Sequence, residues 1–283
     1  MQGKTVVITG ASGGIGLETA RVIAARGAKI VMVVRSRERG EAAIAEVVKT
    51  TPAAQVELVL ADLYSMAEVR RAASELGSRF ARIDVLINNA GLIHNNRELT
   101  VDGFEKTFAL NVLAPFVLTY ELRELLAASA PARVVTLASS AHKFYNHTFD
   151  DLATREKSWP SASRVYGSSK LCNIWFAREA AQRFAGKGVT SNSLHPGVVR
   201  TSFGATGSLP FRIAMAVGRP FMISVERGAE TSIHLATSPD VAGVTGEYFE
   251  KCKVATPSAD ARNDDSARAL WALCEQTGGV RWA

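Results

Sequence analysis

Thr5-Val6-Val7-Ile8-Thr9-Gly10-Ala11-Ser12-Gly13-Gly14-Ile15-Gly16 is the stretch that decides the fold of this chain. Its first five residues are an apolar, β-branched run of strand length, and the next seven contain four glycines. Residues 17–26 continue with helical periodicity. A strand that enters a helix through a glycine-rich turn aims backbone N–H groups and a helix N-terminus at one point, and the missing side chains let a diphosphate approach. Gly10, Ser12, Gly13, Gly14, Ile15 and Gly16 are therefore the candidate phosphate cradle. The spacing is GxxxGxG rather than GxGxxG, which separates it from the generic dinucleotide fingerprint.

Beyond that turn the chain alternates. Apolar runs predict strands at 5–9, 29–34, 56–60, 85–88, 134–138, 189–194 and 247–249, and amphipathic patterns predict helices at 37–49, 66–80, 103–126, 166–184 and 225–236. Near-continuous apolar strands separated by helices imply an α/β architecture, a Rossmann-type doubly wound parallel sheet of about seven strands with helices on both faces. No linker, internal repeat or low-complexity segment divides the 283 residues, so the expectation is a single domain over 1–283. Ligands of such sheets bind at the carboxyl ends of the strands.

One further pattern carries chemistry. Tyr166 and Lys170 stand four residues apart in Tyr166-Gly167-Ser168-Ser169-Lys170, with Ser139-Ser140 upstream at the end of an apolar strand. The spacing puts phenol and ammonium on one helix face, about 6 Å apart along the axis. At an effective dielectric near 20 such a cation stabilises a phenolate by about 3 kcal/mol, or roughly 2 pKa units. The pair is thus a candidate proton donor whose phenol is expected below its ordinary range.

Thr9-Gly10-x-x-x-Gly14-Ile15-Gly16, Asn88-Asn89-Ala90-Gly91, Asn111, Ser140, Tyr166-x-x-x-Lys170 and Pro196-Gly197 together resemble the short-chain dehydrogenase/reductases in order and separation, across nearly the whole chain. The run from His195 to Thr201 and the tail residues Cys252-Lys253, Pro257-Ser258, Ala261-Arg262 and Leu270-Trp271 resemble the retinol-dehydrogenase-like branch. The resemblance implies hydride transfer between a nicotinamide cofactor and a carbonyl or alcohol. It casts Tyr166 as proton donor, Lys170 as the cation that tunes it and binds ribose, Ser140 as the hydroxyl that orients the substrate oxygen with Ser139 as fallback, and Asn111 as holder of a relay water. Asp62 and Leu63 correspond to the adenine contact, with an N-cap as the competing role of Asp62. Asn89, Ala90 and Gly91 correspond to the ribose segment. Pro196, Gly197, Val199 and Thr201 correspond to the nicotinamide clamp.

Cofactor choice turns on the end of the second strand. An acidic residue there would bind ribose hydroxyls; this chain has Arg35, followed by Ser36 and Arg37. A guanidinium binds a 2′-phosphate bidentately where a carboxylate repels it, so NADP(H) is expected, with NAD(H) as the alternative.

Net charge of +6 and a pI near 9.4 raise nucleic acid or an anionic membrane as partners. Lys and Arg are scattered rather than striped, so the reading is a basic surface around an anion site, with neither partner. No run of about 18 apolar residues suggests a span, and no basic start with an apolar segment suggests a signal peptide. Cys172, Cys252 and Cys274 are odd in number and widely spaced, and the five histidines lack ligand spacing, so neither a disulfide framework nor a metal site is expected. A cytoplasmic location is the simplest. His142 and His147 are read as loop residues beside the serine pair.

Substrate information sits in two segments. The interval 141–165 is longer than is common in the resembled family and borders the cleft; it also bears on whether the chain is a monomer or a homodimer. Phe203, Leu209, Phe211, Ile213, Met215, Val217, Phe221 and Met222 make 203–223 an apolar stretch with Gly and Pro breaks, read as a substrate lid. Both suit a small lipophilic carbonyl compound or its alcohol, retinoid-like, steroid-like or aromatic. An NAD(H)-preferring alcohol dehydrogenase and a non-catalytic NADP(H) sensor are the alternatives.

Overall fold

The computed structural model describes residues 1–144, 151–199 and 222–282. Its centre is one eight-stranded sheet: β1 (Thr5–Thr9), β2 (Lys29–Val34), β3 (Val56–Leu60), β4 (Val85–Asn88), β5 (Ala132–Leu137), β6 (Val189–His195), β7 (Tyr248–Glu250) and β8 (Lys253–Val254). The order is β3-β2-β1-β4-β5-β6-β7-β8, and every pairing is parallel except the last. The strand beyond the expected seven is this two-residue antiparallel edge, too short to show any periodicity in sequence.

Helices α1 (Gly14–Ala25), α2 (Arg37–Thr50) and α8 (Val225–Thr237) cover one face of the sheet. The other is covered by α3 (Met66–Arg79), the broken run α4 (Lys106–Phe108), α5 (Ala114–Glu121) and α6 (Arg123–Ala128), and then α7 (Ala162–Arg183) and α9 (Asp264–Gly278). Alternation along β1 divides the core: Val6 and Ile8 pack with Ala20, Ile23 and Ala229, whereas Val7 packs toward Val69, Leu76, Phe116 and Trp175. Most helix starts are closed by side chains. Ser36, Ser65, Ser161, Ser224 and Asn263 each accept a backbone N–H at the N-terminus of α2, α3, α7, α8 and α9.

Three boundaries differ from expectation for physical reasons. The helix after the glycine turn starts at Gly14, not 17, where a φ of 55° that favours glycine lets the turn pass directly into the helix. The expected helix over 103–126 begins at Lys106, where the Glu105 carboxylate accepts the N–H groups of Thr107 at 2.7 Å and Phe108 at 2.9 Å, and it opens into a π-turn over Ala109–Leu113. Pro115 follows that turn and has no N–H for the Asn111 carbonyl four residues earlier. Helix α7 starts four residues before Tyr166, which sets the phenol inside a regular helix rather than at its frayed end. Helix α9, not anticipated, packs Leu270, Trp271 and Cys274 beside Phe116 and Phe176, with Trp271 and Phe176 stacked at 5.9 Å.

The order places β1 and β4 side by side although β2 and β3 intervene in sequence, which makes a crevice at their carboxyl ends. Thr9 stitches it. Its Oγ1 accepts the N–H groups of Asn89 and Ala90, both at 3.0 Å, and the Asn89 amide returns bonds to the carbonyls of Thr9 at 2.8 Å and Gly10 at 3.3 Å.

Candidate functional site

A cavity of about 690 Å³ runs along the carboxyl ends of the strands, from the glycine turn at one end to Tyr166 at the other. Every site residue expected from sequence lines it except two. Thr201 lies outside the described residues, as do His147 and the lid residues through Phe221. Asn111 is fully buried behind the wall: its amide donates to Leu92 O at 3.0 Å and Ser169 Oγ at 2.9 Å, and its Oδ1 accepts Leu92 N at 3.0 Å. The Asn111 side chain therefore holds the loop after β4 and does not face the cavity.

At the glycine end, α1 is the one helix of ten or more residues among the described residues that opens without a side-chain cap, and its first turn carries no acidic residue. Gly13 faces open space, where a Cβ would meet only the Arg39 guanidinium at 3.9 Å. Gly16 is needed for the opposite reason, since a Cβ there would stand 2.5 Å from the Asn89 amide and 2.8 Å from Gly10 O. Uncapped N–H groups, no competing carboxylate and an open approach fit the diphosphate of a dinucleotide.

Arg35, Ser36, Arg39, Asp62 and Tyr64 line the adjoining part of the cavity. Arg37, adjacent in sequence, is not among the lining residues and pairs with Glu41 at 3.6 Å. Arg39, in the first turn of α2, lines the cavity in its place.

At the other end, Tyr166 hydrogen-bonds through its side chain to Ser139. Ser140, the serine expected from sequence, and Ser139, its fallback, both line the cavity here. Ser140 opens a 3₁₀ turn over Ser140–Phe144, while Ser139 is the residue at the strand exit beside the phenol. Lys170 Nζ donates to Leu137 O at 2.7 Å, shares that carbonyl with the Asn173 amide at 2.9 Å, and lies 5.6 Å from the Tyr166 ring centroid. The expected depression of the phenol is corrected. Burial pushes Tyr166 up to about 12, opposed by the Ser139 hydrogen bond, and pushes Lys170 down to about 7. Desolvation of both groups outweighs their mutual attraction, so the protein's own groups keep the phenol protonated.

The clamp segment is held from behind. Gly197 has φ 94°, and a Cβ on it would stand 2.5 Å from Ile223 Cδ1; Ile223 N donates to Val198 O at 2.9 Å. His195, before it, lines the cavity with Nδ1 unpartnered among the described residues, and burial holds its imidazole down at about 4.

The mouth beside Tyr166 is apolar. Leu92, Val198 and Phe144 line it while 40%, 54% and 75% exposed, and sequence reasoning passed over all three. Within 141–165, Ala141, Phe144 and Ser163 line the cavity, while 151–158 is tied down: the Asp151 carboxylate accepts the N–H groups of Glu156, Lys157 and Ser158, and Ala153 O accepts Glu105 N at 2.7 Å.

The short chain dehydrogenase family model matches residues 4–151. Retinol dehydrogenase 12 of Mus musculus is 41% identical over 99% of this chain and 88% of its own length. A crystal structure of an uncharacterised Mycobacterium paratuberculosis protein superposes with a TM-score of 0.79 at 32% identity, covering 100% of this chain and 96% of that one. The NADP active-site complex of Pseudomonas aeruginosa RhlG gives 0.70 at 28% identity over 88% and 94%. The chain belongs to the short-chain dehydrogenase/reductase family, in its retinol-dehydrogenase-like branch, and is an NAD(P)-dependent oxidoreductase.

Proposed function

We propose that this protein interconverts a lipophilic ketone or aldehyde and its alcohol, with NADP(H) as the preferred cofactor. The observation that carries the reading is that one cavity joins Arg35, where an NAD site would have an acid, to the Ser139–Tyr166 pair under an apolar mouth. The glycine turn would hold the diphosphate, Arg35 and Arg39 the 2′-phosphate, and Lys170 the nicotinamide ribose. When bound, the nicotinamide supplies or accepts the hydride. The protonated Tyr166 phenol holds the proton for a carbonyl oxygen, and the Ser139 hydroxyl donates a second hydrogen bond to the same oxygen as negative charge develops there. Lys170 uses one donor on Leu137 O and keeps its remaining N–H groups for the ribose and the phenol side. Leu92, Phe144 and Val198 give the substrate an apolar wall.

Following reduced-cofactor absorbance with NADPH and NADH across retinoid, steroid and aromatic carbonyls tests this. We expect turnover with a higher kcat/KM for NADPH. A preference for NADH removes the cofactor assignment. Tight cofactor binding with no turnover across the panel would replace the enzyme reading with that of a sensor.

A further inference from the structure

Arg35 is exposed at the end of β2, and among the described residues no carboxylate lies within ion-pair distance of it. A long side chain in that position has many rotamers and no charge to choose among them. The neighbour it does have is Tyr64: the guanidinium carbon lies 5.9 Å from the ring centroid, within the roughly 6 Å over which a ring face attracts a cation. Tyr64 is itself fixed. Its hydroxyl lies 2.9 Å from His94 Nε2, the two rings meet edge to face at 5.6 Å, and its backbone N–H donates to Asp62 Oδ1 at 3.1 Å. Burial pushes the phenol up to about 12 and holds His94 below its ordinary value, so a neutral hydroxyl faces a neutral imidazole.

We infer that Tyr64 is a positioning residue: anchored by His94, its ring holds the Arg35 guanidinium at the cavity rim and thereby sets the preference for a 2′-phosphorylated adenosine. The inference rests on the cofactor reading above and adds to it a residue that no motif marks. Lys106, tied to Glu98 at 2.6 Å, also lies 5.9 Å from the Tyr64 ring, so a second cation holds the ring in place.

Calorimetric titration of the full chain with adenosine 2′,5′-bisphosphate and with 5′-AMP reads this without turnover. Tyr64→Leu, which removes the ring face, is expected to weaken the bisphosphate about fivefold and leave 5′-AMP within about twofold. Tyr64→Phe keeps the face and should retain most of the bisphosphate affinity. Tyr64→Met also removes the ring face and should behave like Tyr64→Leu; it carries the test if Tyr64→Leu does not fold. If Arg35→Ser leaves bisphosphate affinity unchanged, the cofactor reading itself fails. If Arg35→Ser weakens it but Tyr64→Leu and Tyr64→Met do not, only the role of Tyr64 is overturned. Equal weakening of both ligands by Tyr64→Leu also overturns it, because the ring would then be touching the adenosine.

Discussion

His142 Nδ1 lies 2.6 Å from the carbonyl oxygen of Ser139. Its other nitrogen, Nε2, accepts the Ser258 N–H at 3.1 Å, which places the ring proton on Nδ1 and makes the imidazole a neutral strut between the strand exit and the C-terminal segment. The ring is 1% exposed and packs edge to face on Tyr248 at 5.1 Å. His142 therefore acts on Ser139 from behind rather than on substrate. His142→Phe should lower kcat by roughly tenfold through loss of both bonds while cofactor affinity stays near wild type, and His142→Asn should recover part of it. Steady-state kinetics with a parallel cofactor titration checks the split.

Ser139 and Ser140 are separable. Ser139→Ala is expected to cost roughly 10² to 10³ in kcat, the scale of a lost donor to a developing oxyanion, whereas Ser140→Ala should stay within about threefold. The reverse pattern would restore the serine expected from sequence. Tyr166→Phe should abolish turnover and leave cofactor binding intact.

Stability should fall on mild acidification. An unfolded histidine titrates near 6.5, while burial holds His195 at about 4 and His142 below its usual value. Between those limits the unfolded chain binds protons that the native state refuses. The stabilisation is complete above about pH 6.5 and is lost as pH falls, by about 1 kcal/mol per unit for His195. Glu105, pushed up by burial, acts in the opposite sense above its ordinary value, which is why a variant of His195 is compared with wild type. The measurement is thus the difference in urea midpoint between wild type and His195→Asn from pH 7 to 5, where the variant should show the flatter profile.

Gly91→Ala should injure the site more than the fold. A Cβ there would stand 3.2 Å from both Lys170 Nζ and Asn111 Oδ1, and neither is free to move, since Lys170 is held on Leu137 O and Asn111 on Leu92. We expect stability within about 1 kcal/mol of wild type and kcat lower by roughly tenfold, read from thermal melts and steady-state rates.

The local chemistry was legible in sequence wherever spacing along the chain equals proximity in space. The glycine turn follows its strand and opens its helix directly, and Tyr166 and Lys170 are one helical turn apart whatever surrounds them. The parallel sheet was legible for a similar reason, because apolar runs alternating with amphipathic ones admit few arrangements. Helix α9 and strand β8 are not legible in the same way, the first because its apolar residues stand among short tail motifs, the second because two residues carry no period.

What only the tertiary structure decided are the relations between distant elements and the burial they create. The register of β5 on β6 is closed by Ala138 N donating to Leu194 O at 2.8 Å, and the His142 strut holds the Ser139 carbonyl just beyond it. Asn111 is drawn behind the wall by Leu92, and Tyr64 meets Arg35 and His94 across loops with no shared motif. The sequence by itself determined which groups could exchange a proton with a substrate. Their protonation was decided by the fold, because desolvation depends on everything packed around a group, and for Tyr166 and Lys170 it exceeds the attraction that their four-residue spacing alone predicts.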